Sequence, residues 1–312
     1  MADVAPRRKK VSLGLVGTGP LWERGYRDAV RRNLHHIAVR GVYDAVPARG
    51  DQTAREWQAL AAPSLTALFE RPDIDAVVIL DAAWFGAFPL QLACRFGKPT
   101  LLARPCDGKL SQLEQVQRAA QEAGVMIMAA FPRRHTPAMN RLRELIVTRL
   151  GSPTSIRLEV AEEAVLDRHH LAELLDWCTY VAGRPPFRVT ASPDASCIDL
   201  EFPPTAGTPR PGARIVLLRP QKPTGGADGN DVEALHVVCQ RGSADIVSDE
   251  EIAWRNGEQE VRDNLASERS SAEIILDQFC RRVVGGLVPV SDLSDALRAW
   301  RFAEALASQL PS

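Results

Sequence analysis

Long apolar runs, paired cysteines and an excess of charge of either sign are all missing from this 312-residue chain. No segment approaches the ~18 consecutive apolar residues that a membrane-spanning helix needs, so no membrane partner is expected. Lys+Arg number 38 and Asp+Glu 39, a net charge of −1. That balance excludes the basic excess of a general nucleic-acid binder. Six cysteines (Cys94, Cys106, Cys178, Cys197, Cys239, Cys280) form no Cys-x-x-Cys pair and no cluster with histidine at metal spacing. Reduced thiols in a cytoplasmic protein are therefore expected, with no metal site. The one local basic run, Arg7-Arg8-Lys9-Lys10, precedes an apolar stretch that is short and broken by Gly14, Gly17 and Gly19. It lacks the apolar region of a signal peptide, and the first ten residues read as a solvated tail. Internal repeats and low-complexity tracts are absent as well.

What is present is an ordinary enzyme composition, 45% hydrophobic and 25% charged, on a chain long enough for two cores. The most telling segment is Val11-Ser12-Leu13-Gly14-Leu15-Val16-Gly17-Thr18-Gly19-Pro20. A buried strand running through Gly-x-Gly into a helix presents backbone N–H groups to a dinucleotide pyrophosphate. The first glycine makes the turn and the second lets a phosphate approach. Trp22 stands where a third glycine would let helix and strand pack closely. Gly17, Thr18, Gly19, Pro20 and Leu21 are the expected phosphate-binding residues.

Periodicity extends this start into repeated βαβ units. Strands are expected at 11–16, 37–43, 75–80, 100–103 and 125–130, and helices at 20–32, 53–60, 65–69 and 87–96. A further helix opens with a capping box at Ser111 and Glu114. The run at 75–80 is nearly all apolar, as in a strand covered on both faces. From about residue 151 short β-prone runs take over (155–160, 188–191, 197–202, 214–218, 235–240, 244–247, 251–254). One amphipathic helix at 169–181 interrupts them, 220–231 reads as a surface loop, and helices at 271–284 and 293–310 close the chain. The expected fold is α/β: an N-terminal Rossmann domain with a doubly wound parallel sheet over 10–132, and a C-terminal α+β domain with a mostly antiparallel sheet over 133–312.

The order of parts resembles the Gfo/Idh/MocA oxidoreductases. The glycine turn, Asp-Ile-Asp-Ala-Val-Val-Ile-Leu at 73–80, Gly-Lys-Pro-Thr-Leu-Leu-Ala-Arg-Pro at 97–105, Phe-Pro-Arg-Arg-His-Thr-Pro at 131–137, Arg-Leu-Arg-Glu-Leu at 141–145 and Val-Ser-Asp-Leu-Ser-Asp-Ala-Leu at 290–297 carry the likeness. The resemblance implies NAD(P)-dependent oxidation or reduction of a sugar, polyol or related small polar substrate. It also implies a homodimer or higher even oligomer through the C-terminal sheet. The family's Glu-Lys-Pro lysine is replaced here by Arg104, a permanent cation that can hold an anion but cannot pass a proton. On the second-domain helix Glu173 fills the family's histidine position and Asp176 its aspartate position. The family's Thr-Pro-Asn-x-x-His loop has become Asp81-Ala82-Ala83-Trp84-Phe85-Gly86.

Each candidate has two readings. Asp44, ending the second strand, either takes an adenosine ribose 2′-OH, favouring NAD over NADP, or is an exposed strand-end carboxylate. Asp81 and Trp84 either flank the cofactor, with Trp84 stacking on a ring, or Trp84 belongs to the core. His170, Glu173, Asp176 and Trp177 share a helical face at i, i+3, i+6, i+7 and are expected to line the cleft opposite Arg104. His169 and Glu173 at i, i+4 read as a surface pair and not as metal ligands. Two functions follow. One is a working oxidoreductase in which His170 or Glu173 moves the proton and Arg104 holds the substrate. The other is a catalytically inactive relative acting as a ligand-binding or regulatory protein.

Overall fold

The computed structural model describes residues 10–104, 108–161, 167–204, 212–218, 234–307 and 309. The expected loop at 220–231, Cys106 and the basic residues 7–9 lie outside the described residues. The chain divides into two compact units, 1–130 with 272–297, and 131–271 with 298–312.

The first unit is a six-stranded parallel sheet in the order β3-β2-β1-β4-β5-β6. Its strands are β1 (Val11–Val16), β2 (Ile37–Tyr43), β3 (Leu60–Ala61), β4 (Ala76–Ile79), β5 (Thr100–Leu102) and β6 (Ile127–Ala129). Every residue of β4 is buried, as the unbroken apolar run requires of a strand covered on both faces. Between the strands lie α1 (Arg27–Arg32), α2 (Pro47–Trp57), α3 (Leu65–Glu70), α4 (Phe88–Phe96) and α5 (Leu110–Ala123). Helix α2 starts six residues before the expected position, with Pro47 in its first turn, where a missing N–H costs nothing. The capping box at Ser111 does not form. Lys109 is the N-cap of α5, its N–H donating to Gln112 Oε1 at 3.2 Å, and Ser111 lies inside the helix.

Trp22 at the third-glycine position is fully buried, in a core with Leu13, Val30, Ile37 and Phe279. The chain takes up its bulk with a π turn, Trp22–Tyr26, placed before α1. An i→i+5 turn widens the helix at the point where a strict α-helix would press the indole onto the strand.

The division of the chain differs from the expected single break at 132/133. Helix α8 (Ser271–Val283) sends Ile275, Leu276, Phe279 and Cys280 into the first unit's core, against Leu13 and Trp22. The chain therefore returns to its first unit after building most of the second.

The second unit carries eight strands in the order β14-β13-β12-β11-β7-β10-β9-β8, every neighbouring pair antiparallel except β7 with β10. They are β7 (Pro153–Ala161), β8 (Arg188–Ala191), β9 (Cys197–Glu201), β10 (Gly212–Leu218), β11 (Ala234–Cys239), β12 (Gly242–Ser248), β13 (Glu251–Asn256) and β14 (Gln259–Asn264). Alternation along β7 buries Ile156, Leu158 and Val160 on one face, where α7 (Arg168–Ala182) packs. The alternate residues carry charge. Arg157 pairs with Glu159 at 2.8 Å, Arg214 with Asp199 at 2.6 Å, and His236 Nδ1 lies 2.7 Å from Asp245. Helix α6 (Pro137–Leu145) precedes β7, and α9 (Leu293–Ala307) is the last helix among the described residues.

Candidate functional site

The glycine turn follows β1 directly, and its shape is fixed by contacts on both sides. Gly17 has φ +75°, and its N–H donates to Tyr43 O at 2.9 Å. A Cβ at Gly17 would stand 2.3 Å from Asp81 O. Glycine is required there by conformation and by the closeness of the β4 end. Gly19 is different. A Cβ there would meet the tip of a long side chain, Arg49 Nη1, at 2.7 Å, with Asp81 Oδ2 in ordinary contact at 3.7 Å. The turn thus keeps an open face above Gly19, where a phosphate would approach, and Arg49 lies over it. Pro20 and Leu21 begin the helix that follows, with Glu23 N–H donating to Gly19 O at 3.2 Å.

Asp44 does not project from the end of β2. Its Oδ2 accepts from Thr18 N–H at 2.7 Å and from Thr18 Oγ1 at 3.0 Å, and its Oδ1 accepts from Val46 N–H at 2.8 Å. Arg49 Nε lies 3.6 Å from Oδ1, and the carboxylate side chain is only 4% exposed. Thr53 Oγ1 donates to Thr18 Oγ1 at 3.2 Å and extends the network. Neither sequence reading of Asp44 describes this arrangement. The residue is a buried strut that ties the middle of the glycine turn to β2, which satisfies a backbone N–H that would otherwise face the site.

The loop after β4 sits beside this turn. Gly17, Tyr43, Asp44, Arg49, Asp81 and Phe85 line a cavity of about 60 Å³. Phe85 meets Tyr43 edge-on with ring centroids 5.9 Å apart. Trp84 is 88% exposed, so it is not a core tryptophan. An apolar ring held in water beside the glycine turn is available for stacking. Arg104, just past β5, is exposed and has no ion-pair partner among the described residues. Lys98, in the same Gly-Lys-Pro segment, donates to the carbonyls of Arg71 at 2.9 Å and Ile74 at 2.7 Å. That lysine closes a turn of the scaffold.

In the second unit, helix α7 is capped by Asp167, whose side chain accepts from His169 N–H at 2.9 Å. The four residues of its expected functional face separate into two pairs. His170 and Glu173 are half-buried. Asp176 and Trp177 are buried against the segment that follows β6. Asp176 takes both hydrogen bonds of a fork from Arg134, one of them from Nε at 2.7 Å. The Arg134 guanidinium lies over Phe131 at 4.8 Å and Tyr180 at 5.0 Å. Trp177 Nε1 donates to Met139 Sδ at 3.4 Å, and Arg133 stacks on its ring at 5.1 Å. His169 faces Trp300 edge-on at 6.4 Å. His135 is buried, and desolvation, with the Arg134 charge adding, lowers its pKa from 6.5 to about 4. Its ring is neutral at pH 7.

Arg49, Arg134 and His135 were not singled out from the sequence. Arg134 and His135 stand in the quoted segment 131–137, where two prolines frame three basic residues. That density of cations on a short turn was the available signal. Arg49 had none beyond its place five residues after Asp44.

Residues 11–131 match the Gfo/Idh/MocA oxidoreductase family, NAD-binding Rossmann fold, a match that covers most of the first unit. No curated protein matches the chain. Among solved structures, UDP-N-acetylglucosamine 3-dehydrogenase GnnA from Acidithiobacillus ferrooxidans is similar at 18% identity, covering 97% of this chain and 98% of its own, with a TM-score of 0.73. An oxidoreductase from Sinorhizobium meliloti is similar at 14% identity, 97% of each chain and a TM-score of 0.78. Biliverdin reductase from Synechocystis, solved with biliverdin and NADP+, is similar at 16% identity, 96% of this chain and 98% of its own, with a TM-score of 0.70. At these identities the likeness establishes the fold over both units.

Proposed function

We propose that the protein is an NAD(P)-dependent oxidoreductase acting on a CH–OH group of a sugar, polyol or related small polar substrate. The observation that carries this reading is the glycine turn, whose geometry leaves one open face, above Gly19, at the start of a helix. Gly19, Pro20 and Leu21 would hold the pyrophosphate, and Trp84 would cover a ring of the bound nucleotide. A bound nicotinamide supplies the hydride acceptor or donor. The protein's own work is to bind the substrate, orient it and move one proton. Arg104 holds an oxyanion or carboxylate of the substrate, and the Glu173 carboxylate or the His170 ring takes the hydroxyl proton. Asp176, gripped by Arg134, is a positioning residue for the helix that carries them.

One observation favours a second reading, a catalytically inactive relative that binds a ligand. The position of the family's lysine is held by Arg104, and an arginine keeps its proton at any working pH. The test is binding of NADH and NADPH to the full chain by calorimetry, with Gly19→Ala as control. The added methyl displaces only the tip of Arg49, so the variant folds, while it stands where a phosphate must sit. Loss of binding in Gly19→Ala supports the nucleotide site. Absence of nucleotide binding by the wild-type chain overturns the oxidoreductase reading. Dehydrogenase activity gained in Arg104→Lys would show that only the proton-handling group is missing.

A further inference from the structure

We propose that Arg49 makes the nucleotide site selective for the 2′-phosphate, so that this chain prefers NADP(H) to NAD(H). The inference rests on the nucleotide-binding reading above and reverses the preference expected from Asp44 in the sequence. In a dinucleotide-binding fold the pyrophosphate on the glycine turn brings the adenosine ribose to the end of the second strand. There an acidic side chain takes the 2′-OH, or a nearby arginine takes a 2′-phosphate.

Asp44 occupies the acidic position but is not available for that work. Three of its four acceptor positions are taken, by Thr18 N–H and Thr18 Oγ1 on Oδ2 and by Val46 N–H on Oδ1, and Arg49 Nε stands 3.6 Å from Oδ1, the oxygen that keeps the fourth. A ribose hydroxyl would have to reach Oδ1 in place of Arg49. Nor does it present its charge to solvent, because its side chain is only 4% exposed. The guanidinium of Arg49 stands on the accessible side, and Asp81 Oδ2 lies 3.7 Å from the same Gly19 Cβ position. The Arg49 side chain is 39% exposed, lines the same small cavity as Gly17 and Asp81, and reaches to 2.7 Å from the Cβ position of Gly19. A pyrophosphate arriving over Gly19 must push it aside. The displaced guanidinium then needs a partner of opposite charge at the ribose end. A 2′-phosphate supplies two charges and an oxygen geometry suited to the arginine fork, and a 2′-hydroxyl supplies neither.

The experiment measures Kd for NADPH and NADH, and for 2′,5′-ADP and 5′-ADP, on the full chain and on Arg49→Ala and Arg49→Lys. The adenylate pair reads the ribose end without the nicotinamide half. The expected wild-type preference for the phosphorylated member of each pair is about tenfold or more, the worth of one charge-assisted contact. Arg49→Ala should remove that preference by weakening the phosphorylated ligands alone, and Arg49→Lys should keep part of it. Equal or tighter binding of NADH by the wild-type chain overturns the proposal. So does an Arg49→Ala variant that weakens both coenzymes in proportion, since Arg49 would then be serving the pyrophosphate. If both coenzymes bind equally, this inference falls and the nucleotide site stands; if none of the four ligands binds, both fall.

Discussion

Removing the guanidinium of Arg134 should unfold the second unit far more easily than its single residue would imply. Asp176 is 4% exposed and receives a two-pronged hydrogen bond from Arg134, whose own side chain is 12% exposed. In Arg134→Met the apolar contacts with Phe131 and Tyr180 are largely kept, while the carboxylate stays buried without its principal counter-charge. Breaking a buried pair from one side costs about 3–5 kcal/mol. For a unit of this size each kcal/mol is about 2–4 °C in Tm, so the loss is on the order of 10 °C. The double variant Arg134→Met with Asp176→Leu removes the orphaned charge and should recover most of the stability, because apolar replacement of a whole buried pair is close to neutral. Urea titration of the three variants, followed by near-ultraviolet circular dichroism, measures the differences. A single variant that loses less than about 1 kcal/mol would refute the reasoning. The Asp176 carboxylate would then have solvent or another cation to turn to, and its role as a fixed strut under His170 and Glu173 would go with it.

Gly17→Ala should be destabilised by about 2 kcal/mol or more, from the left-handed backbone and from the 2.3 Å approach to Asp81 O, whereas Gly19→Ala should melt close to the wild-type chain; equal melting of the two would refute the distinction. Burial holds the His135 pKa at about 4 when folded against 6.5 when unfolded, so the unfolded chain binds the extra proton between those values. Stability is complete above pH 6.5 and should fall by about 3 kcal/mol as the pH drops to 4; His135→Phe should flatten that part of the pH–stability curve. The charged face of the second sheet pairs Arg157 with Glu159 and Arg214 with Asp199, and the even oligomer expected through that sheet from the family resemblance, if it packs on this face, should weaken with added salt. Light scattering that shows a monomer at micromolar concentration and low salt counts against it.

The parallel sheet was legible because its central strands β1 and β4 are buried almost throughout and stand out, with the largely apolar β2, as runs between turn residues. Strand β14, Gln-Glu-Val-Arg-Asp-Asn, was missed for the opposite reason. It is an edge strand whose residues are all exposed or half-exposed, and no alternation marks it. The π turn at Trp22 also left no periodic trace, since the misfit is absorbed within five residues. In the candidate site the sequence identified the turn but not the direction of its side chains. Nothing in the order of residues says that Asp44 points inward to Thr18, or that Trp84 stands in water. Those orientations depend on which backbone N–H lies nearest once β2 and the glycine turn are side by side.

The path of the chain has a consequence for synthesis. The first sheet is complete in sequence at residue 130, yet the helix that covers Leu13 and Trp22 belongs to 272–297. A ribosome adding ~5–20 residues per second leaves that gap unfilled for roughly 10–30 s. During that time the nascent Rossmann sheet carries an uncovered apolar patch, and most of the second unit is made in its presence. The chain can seal its first core only after nearly all of it has emerged, so a truncation before α8 would remove structure from the beginning of the protein as well as from its end.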